Sequence, residues 1–301
     1  MNKVSVVIPT YRREQVLLDT LDFLKALDVP PGEIVVVDQT EHHGNDVIVS
    51  LTRRHEEGQI RWIRRDLPSI PQAMNCGLLN ARYDIVLFLD DDIRPENGLI
   101  VSHANAHESH EDVIVAGRII QPWDEGRATD NLAPFHFASL KSAWIREFMG
   151  GNFSIRRDRA VALGGFDENF VRVAYRFEAE FAFRALAGGM RIRFEPLACI
   201  HHLKVVSGGT RTFGEHLTTW RPDHAVGAYY FLLRTWRGGS SAVTFISRLF
   251  TSVATRHHFR RPWYVPITLL AELRGVIWAL LLFCRGPRLI VPPSGEAFPD
   301  A

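Results

Sequence analysis

Three consecutive aspartates, Asp90-Asp91-Asp92, close an uninterrupted apolar run, Ile85-Val86-Leu87-Phe88-Leu89. A run of that kind reads as a buried strand. Its end delivers carboxylates to the C-terminal rim of a parallel sheet, where open α/β folds bind their ligands. Like charges this close repel and raise one another's pKa. A divalent cation relieves the conflict, because hard oxygen ligands suit Mg²⁺ or Mn²⁺. Such a cation, held by one or two carboxylates and water, commonly completes its shell with substrate phosphates. The other reading of a bare acidic triplet is a solvated turn that caps the next helix. The flanking residues decide between them.

The first hundred residues alternate strand and helix signals. Residues 4–8, 34–38, 60–63 and 85–89 read as strands, nearly all apolar, as expected when both faces of a parallel sheet are covered. Helices fit between them, at about residues 13–27, 45–55 and 71–81. In the first, Val16, Leu17, Thr20, Leu21, Leu24 and Leu27 recur at helical spacing. This alternation implies right-handed crossovers and a doubly wound α/β sheet. Residues 96–107 read as a further helix and 113–120 as a further strand. Residues 121–147 are irregular, then 150–155 resume as strand, 156–163 and 178–187 as helices and 191–195 as strand. Residues 203–222 form a Gly/Thr-rich loop. The apolar run at residues 4–8 is cut by Pro9, too short for a secretory signal, and reads as the first strand of a fold.

The chain has 301 residues, 46% hydrophobic and 23% charged, which allows a sizeable globular core. Cys76, Cys199 and Cys284 are far apart, so a disulfide framework or a cysteine zinc site is not expected and a reducing compartment is the default. Net charge is +1, but unevenly spread: residues 220–288 hold ten arginines, no lysine and two acids, against 25 basic and 30 acidic residues before them. Within this basic end, residues 263–284 are strongly apolar. Their length matches a spanning helix of about 20 residues. Glu272 and Arg274 near the middle would be costly in hydrocarbon. A helix lying in a membrane interface is the favoured reading, with docking inside the globule or a dimer, and true spanning, as alternatives.

Taken in order, VSVVIPTYRR, EIVVVDQT, NCGLLNA, IVLFLDDDI and FMGGNFSIRRD…LGGFDE resemble the family 2 glycosyltransferases of GT-A fold. The likeness runs from about Val4 to His202, and it is the order and spacing of the motifs that make it specific. The resemblance implies a GT-A domain over residues 1–219, with a nucleotide-sugar half to about 120 and an acceptor half after it. A helical extension over residues 220–301 follows.

The resemblance also assigns roles. Pro9, Thr10 and Tyr11 would line the base pocket, Tyr11 stacking on the base. Asp38, ending the second strand, would accept the imide N–H of uracil or thymine, with Asp66 a weaker candidate, so UDP or dTDP donors are favoured. Asn75 and Gly77 match the end of the family's "ARNxG" segment, but Met74 stands where arginine is usual. The missing charge could come from Arg12, Arg13 or Arg65. Asp92 would ligate the metal directly, while Asp90 or Asp91 reaches the ribose hydroxyls and the metal's waters. His202 would complete the metal shell, a role for which imidazole suits Mn²⁺ better than Mg²⁺. Gly151 and Asn152 would lie on the acceptor side. Glu178 would be the general base that takes the acceptor's proton, with Glu180 its rival, the two pointing to different faces of one helix. Ser207-Gly208-Gly209-Thr210-Arg211 would close over the diphosphate, Arg211 facing the phosphates.

The expected activity is metal-dependent, inverting transfer of a sugar from a nucleotide-diphosphate donor to a hydroxyl acceptor. The extension suits a lipid-linked glycan acceptor at the inner face of the cytoplasmic membrane. No nucleic-acid partner is expected. A nucleotidyltransferase is the enzymatic alternative, although it needs a Gly-rich basic loop where Pro9-Thr10-Tyr11 stands. An inactive scaffold that keeps the fold is the other, suggested by Met74 and Phe177.

Overall fold

The computed structural model describes residues 4–126, 135–205, 207–214 and 216–290; the side chains of Thr210 and Arg211 lie outside that description. Four parallel strands begin the chain: β1 (Val4–Thr10), β2 (Glu33–Asp38), β3 (Arg61–Arg64) and β4 (Ile85–Leu89). The helices α1 (Gln15–Lys25), α2 (Asn45–Glu56) and α3 (Ile70–Asn80) connect them. Every residue of β4 is buried, and so are Leu17, Leu18, Thr20, Leu21 and Leu24 on one stripe of α1. The apolar run and the helical spacing therefore do what they predict: the strands are covered on both faces.

The second half departs from a purely parallel sheet. It holds β5 (Ile93–Pro95), α4 (Leu99–Ser109), β6 (Val113–Ile120), β7 (Ala143–Ile145), β8 (Asn152–Arg156), α5 (Arg157–Ala162), α6 (Phe177–Ala187) and β9 (Arg191–His202). The strand order is β3-β2-β1-β4-β8-β6-β9-β5, with β7 paired to β9. Because β8 lies antiparallel between β4 and β6, the doubly wound sheet is mixed. The helix expected from Glu96 starts later, at Leu99. Residues 93–95 pair with β9 instead, and the Glu96 N–H is held by the Cys199 carbonyl. The strand expected at 191–195 runs on to His202. A register break opposite Gly117 and Arg118 absorbs residues 196–198, so Pro196 does not end it. A Cβ on Gly117 would collide with the Asn152 amide and the Ala198 carbonyl, which is why the bulge can close there.

The extension folds as α7 (Ala225–Arg234), α8 (Gly239–Thr251), α9 (Arg256–Arg260) and α10 (Val265–Cys284). It is continuous with the body: Ala225, Val226, Tyr229, Tyr230, Ala279 and Leu282 share one hydrophobic core with Phe88, Phe153, Phe166 and Phe181. The change in composition near residue 220 is therefore not a break between cores. Helix α10 meets α7 through its small residues, Ala271, Gly275 and Ala279, which recur every four positions. A Cβ on Gly275 would come within 2.6 Å of the Ala225 Cβ.

Gly275→Val is accordingly expected to overpack this contact and cost about 1–3 kcal/mol. The thermal midpoint of the whole chain should fall by several degrees. An unchanged midpoint, or a separate low-temperature transition for residues 220–290 alone, would contradict a shared core.

Candidate active site

The three aspartates follow β4 in a bend before β5, and their side chains part in direction. The odd one out is Asp91. Its carboxylate accepts the Thr10 hydroxyl at 2.7 Å and faces the Arg13 guanidinium at 3.3 Å, and the residue is buried. The Thr20 hydroxyl donates to the Asp91 carbonyl at 2.9 Å. Burial pushes the Asp91 carboxyl up to about 7 against the opposing pull of Arg13 and Thr10.

Asp90 and Asp92 share the other side with His202. Asp92 receives the Val205 N–H at 3.0 Å and the Arg13 guanidinium at 3.4 Å. Its Oδ1 lies 3.1 Å from His202 Nε2, and Asp90 Oδ2 lies 3.9 Å from the same nitrogen. Burial alone would raise Asp92; the contacts from His202, Arg13 and Val205 outweigh it and hold the carboxyl below its usual value. His202 Nδ1 lies 3.0 Å from the Gln121 side-chain oxygen. That contact holds the ring with Nε2 facing the two carboxylates, where its lone pair would be available to a cation held between them. Acceptors from all three side chains lie within 4.8 Å of one another. That donor set fits a divalent cation: oxygen ligands for Mg²⁺ or Mn²⁺, with an imidazole that favours Mn²⁺.

The triplet opens on a cavity of about 330 Å³. One wall is the end of β1, with Pro9, Thr10, Tyr11 and Arg13, together with Gln39 and residues 68–70. The rest of the lining is Gly150 and Gly151, residues 172–177 and Glu178 in the first turn of α6. Gly151 is required here, since a Cβ would overlap the Asp90 carboxylate. Glu178 is half-buried, and burial, with smaller contributions from the Asp90 and Glu147 charges, pushes its carboxyl up to about 7. A carboxylate with that pKa can take a proton near neutral pH. The loop before α6 is strained. Arg172, Ala174 and Arg176 all have positive φ, at 62°, 53° and 72°. Such outliers persist only where the surroundings over-determine them.

The structure thus brings together Pro9, Thr10, Tyr11, Arg13, Asp90, Asp91, Asp92, Gly151, Glu178 and His202. Four other expected residues do not line the cavity. Asp38 is fully buried, and its oxygens take the Trp62 indole N–H at 2.9 Å, His43 Nε2 at 2.7 Å and the Thr40 N–H at 2.9 Å. Asp38 is not part of the cavity lining, and Gln39 and residues 68–70 stand at that end instead. Asn75 braces the turn before residue 167, bonding the Phe166 N–H at 2.8 Å and carbonyl at 2.9 Å. Asn152 holds the bulge of β9 through the Ala198 carbonyl at 2.9 Å and is itself held by His103 at 2.9 Å. Glu180 is buried in ion pairs with Arg184 at 2.9 Å and Arg234 at 3.2 Å. Each has at least one partner far away in sequence: Trp62 for Asp38, Phe166 for Asn75, Ala198 for Asn152 and Arg234 for Glu180.

Arg13 is on the wall, but its charge is committed to Asp91 and Asp92 and to the carbonyls of Val205 and Ser207. The glycine loop docks there too: the Gly209 N–H donates to the Tyr11 carbonyl at 2.8 Å, and Gly208 has φ 76° with no room for a Cβ beside Arg12. The side chain of Arg211 falls outside the described residues. Sequence reasoning missed Gln121 and residues 172–176. Both lie in irregular segments with no periodicity to read.

Comparison with known proteins settles the family. The model of "Glycosyl transferase family 2" matches residues 5–179. This chain belongs to glycosyltransferase family 2. Among curated proteins it is similar to glycosyltransferase YfnE of Bacillus subtilis (strain 168), 29% identical over 117 residues, which are 38% of this chain and 29% of that protein. The chain spans between a quarter and a half of the length of the curated relatives it matches. Among solved structures it is similar to the mannosyltransferase PcManGT of Pyrobaculum calidifontis in complex with GDP-Man and Mn2+, with TM-score 0.58, 21% identity and coverage of 95% of this chain and 79% of that one. It is also similar to S. aureus TarS in complex with UDP-GlcNAc, with TM-score 0.60, 16% identity and coverage of 92% and 79%. These likenesses are of fold, the GT-A fold that the sequence resemblance implies.

Glu178→Gln is expected to lower sugar transfer by at least about 100-fold with little change in donor KM, since general-base contributions run to that size. In the wild type, transfer should rise with pH through about 7, as Glu178 loses its proton. Stability should move the other way. A carboxyl whose folded pKa lies above its unfolded value binds more protons when folded, so the wild type should lose stability as pH rises from about 4.5 to 7. Glu178→Gln should lack that loss. A flat rate profile across this range would remove Glu178 from the role.

Proposed function

We propose that this protein transfers a sugar from a nucleotide-diphosphate donor to an acceptor hydroxyl, with inversion at the anomeric carbon. One observation carries the reading: the Asp90–Asp92–His202 cluster and the raised carboxyl of Glu178 line one cavity. In a single displacement the acceptor oxygen attacks C1 and passes its proton to Glu178. The bond from C1 to the diphosphate oxygen breaks, and the nucleoside diphosphate leaves. Asp92, Asp90 and His202 would hold Mn²⁺ or Mg²⁺, which as a Lewis acid neutralises the departing diphosphate. Gln121 holds the His202 ring, and Arg13 and Thr10 keep Asp91 from repelling its neighbours. Donor complexes of PcManGT and TarS support a nucleotide-sugar in this cavity. The expectation of UDP or dTDP rested on Asp38. With that carboxylate committed, base choice falls to Gln39, Tyr11 and residues 68–70, and GDP donors belong in the same screen.

The acceptor in this reading is a hydroxyl of a lipid-linked glycan, in polysaccharide assembly at the inner face of the cytoplasmic membrane. The apolar, arginine-edged extension supports it.

Donor turnover with Mn²⁺ should release nucleoside diphosphate. Pyrophosphate would mark a nucleotidyltransferase instead, and no turnover with any donor an inactive scaffold. Asp92→Ala should abolish release. Gln121→Ala should keep the fold but raise the half-saturating Mn²⁺ concentration by about 10-fold, because it loosens the ring that presents Nε2. An unchanged metal requirement in both variants would end the metal reading.

A further inference from the structure

The extension exposes more apolar surface than its contact with the body explains. Helix α8 has no buried residue, and Val243, Ile246 and Phe250 along one face are 58–68% exposed. Its other face rests on the core through Phe245 and Leu249. Helix α10 buries Thr268, Ala271, Gly275 and Ala279, while Leu273, Ile277 and Leu281 on the far side are 53–55% exposed. Between the two helices, Phe259 is 94% exposed and Trp263 62%. Exposed apolar side chains in this number, on neighbouring segments of one extension, mark an interaction site.

Its charges say what it fits. The two acids of residues 220–290, Asp223 and Glu272, are both buried. Glu272 is paired with Arg248 at 3.2 Å. Arg256, Arg260 and Arg261 flank Phe259 and Trp263, are exposed, and have no ion-pair partner among the described residues. Arg274 lies over the exposed Trp220 ring at 4.3 Å. Exposed aromatics and aliphatics rimmed by unopposed arginines complement an anionic lipid headgroup layer. A second copy docked face to face would bring arginine against arginine, because a two-fold interface is self-complementary. Spanning is disfavoured as well. The small-residue face of α10 is packed on α7, and the buried Glu272 within α10 is tied to Arg248 of α8.

We propose that the outer faces of α8, α9 and α10 lie in the plane of an anionic membrane, with Phe259 and Trp263 inserted, and that they seat the acceptor wall of the cavity at the headgroups. The second half follows from direct contacts. Arg172 lies over the Trp278 ring of α10 at 5.9 Å. Tyr175 stacks on His224 at 4.0 Å, and Arg176 lies over Phe231 of α7 at 5.0 Å. The strained loop that lines the cavity is thus mounted on α10, which meets the lipid, and on α7, against which α10 packs. The inference rests on the lipid-linked acceptor reading and names the surface that serves it.

The test is co-sedimentation of the full chain with phosphatidylcholine vesicles, with and without phosphatidylglycerol. Binding should need the anionic lipid and weaken with salt. Arg256→Gln, Arg260→Gln and Arg261→Gln together should reduce it about 100-fold. Phe259→Glu and Trp263→Glu should abolish it, with the thermal midpoint and donor turnover unchanged. No binding, binding indifferent to lipid charge, resistance of bound protein to alkaline carbonate extraction, or a wild-type dimer that Ile277→Glu makes monomeric would each overturn the proposal. The two readings fail separately. Vesicle binding without transfer to lipid-linked acceptors removes the acceptor reading alone, and transfer to such acceptors in detergent without vesicle binding removes the docking surface alone.

Discussion

The pairing of Arg13 with Asp91 and Asp92 is the contact on which the site depends. Three carboxylates in succession cannot stay charged at a buried strand end without opposing charge or protons. Arg13, 6% exposed, supplies one positive charge from the segment after β1, and Thr10 supplies a hydroxyl. That arrangement divides the triplet. Asp91 is turned into the body and made structural, and Asp90 and Asp92 are left to face His202. A lysine would be a poor substitute for Arg13, since the guanidinium reaches both carboxylates and two loop carbonyls at once. The same side chain ties the glycine loop at residues 207–209 to the rim, so the charge balance of the aspartates and the position of that loop are one problem with one solution.

How far this was legible in the sequence depends on the range of the cause. Strands β1, β2 and β4 and helix α1 follow from local patterns: continuous apolar runs, or leucines at helical spacing, admit few other folds. Asp90, Asp92, His202 and Glu178 were legible because each ends or begins an element whose position in the sheet is fixed. Asp38 shows the limit. It ends β2 as expected, but it is buried against Trp62 and His43, and no pattern in residues 33–38 shows that these partners converge. Asn75, Asn152 and Glu180 diverge for the same reason. The antiparallel insertion of β8 was equally hidden, since a buried strand reads the same in either direction. Helices α8 and α9 escaped notice because α8 opens on Gly238-Gly239-Ser240-Ser241, which reads as loop, and α9 is a single turn and a half.

The buried ion network around Glu180 explains why the extension cannot be treated as an appendage. Arg234 of α7 reaches Glu180 of α6 at 3.2 Å and Asp167 at 3.5 Å, and the Tyr230 hydroxyl donates to Asp167 at 2.7 Å. Burying such charges costs desolvation that their attraction barely repays, so stability alone is a weak reason for them. What they fix is register. A charged network admits one alignment of α6 against α7, where an apolar contact would tolerate a slide. Glu178 stands two residues before Glu180, at the N-terminal turn of the same helix. The placement of Glu178 is thus determined from the far side, by a helix whose sequence looks like part of something else.

The cavity therefore has two walls with different supports. The aspartate wall is held by the sheet, whose parallel strands and buried side chains leave little freedom. The Glu178 wall is held by α7 and α10 through ring contacts, an ion network and a loop with three left-handed residues that no glycine relieves. Backbone strain of that kind lasts only while the packing behind it is intact. Loosening α7 and α10 would relax residues 172–176 and let water reach Glu178, whose raised pKa comes chiefly from burial. The carboxyl would then drift back toward its ordinary value and become a weaker base. The proton affinity of Glu178, the strain of the loop and the docking of the extension are coupled through one interface.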